Sequence, residues 1–237
     1  MTRKQKKVDG WTDRMKGVPC FLIGCGTSLI DVELDILKPY FTIGLNRAFY
    51  KIDPTVIMWQ DLGMWMEEGK KIKNLKAIKY CREASYMETE RGDQKFYKFR
   101  LVGRDNKLTG IPSLLYGRGS SGGIGYQLAH ILGCNPIVLV GMDCRKRKKN
   151  IEKKEKKMTS FYGNNPKYRD LTLKNCVKSL EWIKKVGESR TIISCSKGKV
   201  FAESISIKEA VNTIKNIEPH SRKYWKKKLF GKELPEE

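Results

Sequence analysis

Phe21-Leu-Ile-Gly24-Cys25-Gly26-Thr27-Ser28 reads as an apolar strand that runs into a glycine turn and then into residues suited to a helix start. In that arrangement the glycines let the backbone approach a phosphate or ribose, and helix N-terminal amides point at the anion. The same residues also make a tight turn with no ligand, and Gly-x-Gly-x-Ser alone does not separate the two. A full dinucleotide fingerprint wants a third small residue where Leu29 stands and an acid at the next strand end, about twenty residues on. That strand end carries Asn46. A ribose clamp of the NAD or S-adenosylmethionine type is therefore disfavoured.

Outward from this stretch, short apolar runs rich in Val, Ile and Phe alternate with segments of helical period. That is the pattern of an α/β fold with a mostly parallel sheet flanked by helices. Strands are expected over 18–24, 41–46, 55–61, 77–81, 96–102, 136–143 and 190–195, and helices over 31–37, 62–73, 122–132, 171–186 and 207–217. This gives a single domain over 18–217, preceded by a basic arm (1–17), interrupted by a basic loop or lid (145–170) and followed by a basic aromatic tail (218–237). Arg145 to Lys157 carries nine Lys/Arg against Glu152 and Glu155, which predicts a mobile loop or a solvated helix. In the tail, Arg222-Lys-Tyr-Trp-Lys-Lys-Lys228 interleaves aromatics with bases. It reads either as a nucleic-acid or lipid contact or as a terminal helix docked through Tyr224, Trp225 and Phe230.

A second glycine cluster, Gly117-Arg-Gly-Ser120-Ser121-Gly122-Gly123, opens the helix that feeds the strand at Ile137. Serine hydroxyls with free amides at a helix start make another anion site, or a plain N-cap at Ser120 or Ser121. No Gly-Lys-Ser/Thr follows, so it is not a Walker loop. Two anion-competent turns on one sheet edge suit a nucleoside mono- or diphosphate. Asp61 and Asp143 close strands at the edge where open α/β sheets bind ligands. Each is a candidate general base, with Asp143 alternatively a loop-orienting residue. With no Asp-x-Asp and only His130 and His220 in the chain, a metal site has little support, and His130 reads as a packed helix residue.

The 237 residues carry 48 Lys+Arg against 26 Asp+Glu, a formal net charge of +22. This balance points to an anionic partner, whether nucleic acid, an acidic membrane surface or a phosphorylated substrate, unless a generally Lys-rich proteome sets it. The seven cysteines are scattered with no CxxC pair and read as reduced thiols of a cytoplasmic protein. No apolar stretch approaches the roughly 20 residues of a membrane span, and no signal core follows the basic N-terminus.

Gly24-Cys-Gly-Thr-Ser28, Gly44-Leu-Asn46-Arg-Ala-Phe-Tyr50, Gly119-Ser-Ser-Gly122 with Leu132-Gly133, Ile137-Val-Leu-Val-Gly-Met-Asp143 and Ser194-Cys-Ser196 lie in an order that resembles the bacterial sialyltransferase-like glycosyltransferases. Their relatives include phage-encoded glycosyltransferase-like proteins, motility accessory factors and archaeal hydroxymethylpterin diphosphokinases. The resemblance spans about residues 18 to 215. It implies a Rossmann-like, glycosyltransferase-A-like domain, metal-independent in the sialyltransferase branch, with a lid over a UDP- or CMP-sugar donor. By position Gly24, Gly26, Thr27 and Ser28 would line the donor phosphate and ribose. Asn46 would hydrogen-bond the nucleotide, and Ser120, Ser121, Gly122 and Tyr162 would complete the pocket. Where such enzymes carry a histidine base, this chain has Ser160-Phe-Tyr-Gly-Asn164, which shifts the expected base to Asp61 or Asp143.

The resemblance thus implies sugar transfer from a nucleotide-sugar to a hydroxyl. The charge favours a DNA acceptor such as a hydroxymethylated base, held by Arg145, Lys146, Arg147, Lys148, Lys149, Lys226, Lys227 and Lys228. A lipid-linked or cell-surface glycan is the alternative acceptor. The other classes are a nucleic-acid methyltransferase using S-adenosylmethionine, a pterin pyrophosphokinase, and a non-catalytic basic binding protein. Against the methyltransferase stand Leu22, Asn46 and the lack of an Asn/Asp-Pro-Pro-Tyr motif.

Overall fold

The computed structural model describes residues 8–85, 96–103, 107–117, 119–144, 147–148, 157–158, 160, 170–197, 200–201, 203–214 and 218–231. Strands β1 (Cys20–Ile23), β2 (Phe41–Leu45), β3 (Val56–Trp59), β4 (Ile78–Arg82), β5 (Phe96–Leu101), β6 (Leu114–Leu115), β7 (Ile137–Val140) and β10 (Ile192–Cys195) form one sheet. A ribbon of β8 (Arg147–Lys148) and β9 (Lys157–Met158) stands apart from it. The helices are α1 (Leu62–Asn74), α2 (Ser121–Ile131), α3 (Asp170–Val186), α4 (Ile207–Thr213) and α5 (Arg222–Phe230).

The sheet order is β10-β7-β1-β2-β3-β4-β5-β6 and every pairing is parallel. From β1 the chain steps outward to β6 on one side, then returns through α2 to β7 on the other side of β1. That reversal is the topological switch point, where an open parallel sheet leaves a crevice beyond its carboxyl ends. The strands are apolar on both faces because both are covered. Cys20 and Leu22 point into a cluster with Trp11, Ile124, Leu128 and Ile183, whereas Phe21 and Ile23 point into one with Leu29, Leu34, Leu37 and Val211. Beneath α1, Trp59 and Trp65 stack at 5.9 Å and Phe96 meets both edge-on.

The strand and helix expectations hold in type, with three departures, and of the two readings of the tail the docked helix is the one that forms. Residues 8–17 are no free arm: Val8, Trp11 and Met15 are buried, and the Asp13 and Met15 amides donate to Ile131 and Leu132 carbonyls at the end of α2. The expected helix over 31–37 is replaced by short 3₁₀ turns at Thr27–Leu29 and Asp35–Leu37. The Lys51 ammonium donates to the Ile30 and Val32 carbonyls (3.1 and 3.2 Å), taking acceptors an α-helix would use. Within the basic run, Arg147 pairs with Met158 and Lys148 with Lys157 as antiparallel ribbon, so a continuous solvated helix does not form there. The C-terminal stretch is the docked helix α5, anchored by buried Trp225 and Leu229, while Tyr224 stays exposed and stacks on His220.

Helix α5 crosses the amino ends of the strands. Trp225 donates from Nε1 to the Pro39 carbonyl (2.9 Å) and packs edge-on against Phe41, and Arg222 reaches Asp53 (2.6 Å) just before β3. No helix among the described residues is long and apolar enough to cross a membrane.

Candidate functional site

The carboxyl ends of β1, β2, β3 and β7 and the N-termini of α1 and α2 enclose a cleft of about 510 Å³. Of the residues singled out from sequence, Gly24, Gly26, Asn46, Asp61, Ser120, Ser121, Gly122 and Asp143 all line it. Its two walls are built differently.

The first wall is the laced exits of β1, β7 and β10. The Gly24 amide donates to the Val140 carbonyl (2.8 Å) and the Gly26 amide to the Gly141 carbonyl (2.7 Å). A Cβ on either glycine would lie 2.6 Å from the Gly141 oxygen. These glycines are therefore required for close passage of two backbones, the tight-turn reading of the sequence, and their amides are engaged within the protein. Asp143, 3% exposed, ties the wall together. Its Oδ2 accepts from the Ser28 amide (2.7 Å) and the Thr27 hydroxyl (3.4 Å), and its Oδ1 from the Ser28 hydroxyl (2.7 Å) and the Lys197 amide (3.1 Å). Ser196 extends the lacing, accepting from the Met142 amide (2.8 Å) and donating to the Leu139 carbonyl (3.1 Å). A carboxylate with both oxygens so engaged orients a loop, the alternative weighed for Asp143. The Thr27 and Ser28 hydroxyls are likewise turned toward Asp143.

The second wall is the exits of β2 and β3 facing the start of α2. Asn46 has left-handed backbone (φ +51°), a conformation that costs a non-glycine residue energy and collects at functional sites. Its Nδ2 donates to the Ser121 hydroxyl oxygen (3.3 Å), which also accepts from Gln60 Nε2 (3.2 Å). Both lone pairs of Ser121 are then filled and its own proton is the group it has left to give. Asn46 Oδ1 is buried and has no hydrogen-bond partner. An orphaned buried acceptor costs about 1–3 kcal/mol, so this wall, lined by Asn46 and Ser121, holds an unsatisfied buried acceptor beside a hydroxyl with a proton to give. Ser120 acts as the N-cap of α2, accepting from the Gly123 amide (3.4 Å). The first-turn amides of Ser121 and Gly122 have no intrahelical partner by construction, and the positive end of the helix dipole lies at the cleft.

Asp61 stands at the N-cap of α1; its backbone carbonyl accepts from the Met64 amide (3.1 Å), but its carboxylate does not cap the helix and accepts no hydrogen bond among the described residues. Although Asp61 is exposed overall, desolvation by the concave wall pushes its pKa above the ordinary carboxylate value, and Arg82 pulls the other way. It is the cleft carboxylate with the freedom and the basicity to take a proton. Cys25, by contrast, is pushed up to about 12 by burial, and Cys144 is raised by a hydrogen bond with Cys176 and by burial. Neither is the low-pKa thiolate that a covalent mechanism needs. Among the described residues no group of three or more His, Cys, Asp or Glu is placed to hold a metal ion.

Sequence reasoning missed Gln60, Arg47 and Glu67 as cleft residues. Gln60 and Arg47 adjoin Asp61 and Asn46 in the chain, and that adjacency was the available signal. Of the expected nucleic-acid contacts, Lys226, Lys227 and Lys228 ride on α5 at the amino edge, away from the cleft. Arg147 and Lys148 lie in the ribbon shortly after Cys144, which lines the cleft. Arg145, Lys146, Lys149 and Tyr162 lie outside the described residues.

No protein-family model matches the chain and no curated protein matches it significantly. Among solved structures, the MAf glycosyltransferase from Magnetospirillum magneticum AMB-1 aligns at 13% identity with a TM-score of 0.48. The alignment takes in 95% of this chain and 40% of that one, so the chain spans well under half of that protein's length.

Proposed function

We propose that this protein is a nucleotide-sugar-dependent glycosyltransferase that uses no metal ion and takes a UDP- or CMP-sugar as donor. The observation that carries this reading is the unpartnered buried Oδ1 of Asn46 beside the Ser121 hydroxyl, at the N-terminus of α2. A ribose hydroxyl or a base amide edge supplies the matching donor and acceptor. The helix end beside it receives a phosphate.

The chemistry follows from what faces this subsite. Asp61 takes the proton from an acceptor hydroxyl, the oxygen attacks the anomeric carbon, and the bond from that carbon to the phosphate oxygen breaks. The nucleotide leaves with the bonding electron pair, and its charge is met by the α2 N-terminus and the Arg47 guanidinium. Asp143 holds the β1, β7 and β10 exits in register for this step.

The acceptor we favour is a hydroxymethylated base in DNA. The net charge of +22 supports it, as does the placement of the ribbon residues Arg147 and Lys148 shortly after Cys144, which lines the cleft. A base in duplex must be flipped out to reach Asp61. The test is transfer of labelled sugar from UDP- and CMP-sugars to hydroxymethylpyrimidine duplex, to unmodified duplex and to an anionic glycan. Label on the hydroxymethylated DNA alone, lost in Asp61→Asn, is the expected result. Label on the glycan alone moves the acceptor to the other class. No donor consumed with any acceptor, with stabilisation by S-adenosylmethionine, overturns the reading.

A further inference from the structure

Arg47 is the one cationic side chain among the described residues that line the cleft, against Asp61, Glu67 and Asp143. Among them it is the group placed to meet the phosphate of an entering nucleotide. Two glutamates of α1 hold its guanidinium. Nε donates to Glu68 Oε1 (2.7 Å), and Nη2 pairs with Glu67. The two glutamates differ in kind. Glu68 has a side chain only 8% exposed, and its other oxygen accepts from the Tyr50 hydroxyl (2.7 Å) and from the Lys71 ammonium (3.2 Å). Burial draws its pKa up, and hydrogen bonds from Arg47, Tyr50 and Lys71 draw it further down, leaving it below the ordinary value. Glu67 has a side chain 48% exposed and lines the cleft.

We propose that Glu67 is a displaceable counter-ion that occupies the outer face of Arg47 until a substrate phosphate takes its place, with buried Glu68 as the positioning residue that keeps Arg47 aimed into the cleft. This rests on the nucleotide-sugar reading for the identity of the phosphate, but the exchange itself requires only an anion. Glu68 is fixed by three donors from two elements and cannot leave without stranding a buried charge. Breaking the exposed pair between Arg47 and Glu67 costs little. The phosphate gains a charge-assisted hydrogen bond from the same nitrogen. The exchange breaks no covalent bond and leaves the protonation of both glutamates unchanged.

The test is the Kd for inorganic pyrophosphate and for UDP and CMP, by titration calorimetry on the full chain. Glu67→Gln is expected to tighten pyrophosphate and the preferred nucleotide by about two- to fivefold, since an exposed ion pair no longer has to be broken. Tm should change little. A merely structural Glu67 would not raise affinity when removed. Arg47→Ala should weaken binding by about ten- to a hundredfold, with Arg47→Lys retaining part of it if the alanine variant fails to fold. Glu68→Gln should weaken binding although Arg47 is present. An unchanged or weaker Kd in Glu67→Gln overturns the proposal, as does failure of both proteins to bind pyrophosphate. Tighter pyrophosphate binding in Glu67→Gln with no binding of either nucleotide leaves the exchange standing and removes the nucleotide-sugar reading.

Discussion

The exits of β1 and β7 and the exits of β2 and β3 face each other across one cleft, yet their polar groups are used in opposite ways. On the first side, Ser28 bonds to Asp143, and Ser196 and the Gly24 and Gly26 amides bond to the backbone of β7 and its exit. On the second, among the described residues, Asn46 keeps an orphaned acceptor, Ser121 an ungiven proton and Asp61 a carboxylate outside any hydrogen bond. Within one site, rigidity and chemistry are assigned to different walls. The glycine turn that draws the eye in the sequence belongs to the rigid one.

Substitutions on the two walls should therefore separate activity from stability. The largest effect is expected from Asp61→Asn, a fall in kcat of about 10²- to 10⁴-fold as a general base is lost, measured by donor consumption. The same substitution should not lower Tm at neutral pH. The folded-state pKa of Asp61 is raised, so the folded protein binds that proton more readily than the unfolded chain, and the ionised group opposes folding as pH rises through its range. In the wild type, kcat/KM should fall as pH drops through an apparent pKa above the ordinary Asp value of about 3.9. A pH profile flat across that limb would count against Asp61.

Next in size is Asp143→Ala. It strands the Ser28 and Lys197 amides and should cost about 3 kcal/mol, a Tm drop of about 6–12 °C by thermal melting. Gly26→Ala forces a Cβ to within 2.6 Å of a backbone oxygen and should cost about 1–3 kcal/mol. If Asp143→Ala melted normally but lost all activity, the assignment of walls would be reversed.

Ser121→Ala should weaken nucleotide binding by about tenfold, near 1.4 kcal/mol, with little change in Tm, read by calorimetry. The smallest effect is expected at the other end of the sheet. Replacing Lys226, Lys227 and Lys228 by serine should leave nucleotide Kd unchanged, because α5 lies a strand length of about 13–17 Å from the cleft.

The parallel sheet was legible because its strands are buried on both faces and read as short apolar runs. The helix over 31–37 was misread because its apolar spacing at Leu34 and Leu37 is real, while the Lys51 ammonium that captures the Ile30 and Val32 carbonyls comes twenty residues later. Asn46 could be found as the residue at a strand end, but that Oδ1 is unpartnered depends on where Gln60 and Ser121 arrive. Arg47 was passed over although it adjoins Asn46, since its partners Glu67 and Glu68 come from α1. In the tail, Trp225 and Phe230 as anchors were readable, and which sheet edge they reach was not.

The central claim is that the Asn46 and Ser121 wall binds a nucleotide. The most direct measurement is thermal stabilisation of the wild type, Asn46→Ala and Ser121→Ala by UDP, CMP, GDP, ATP and S-adenosylmethionine at saturating concentration. The account predicts a shift with UDP or CMP in the wild type that is lost or reduced in both variants. No shift with any nucleotide, alongside a shift with DNA alone, would contradict it and leave a basic binding protein on this fold.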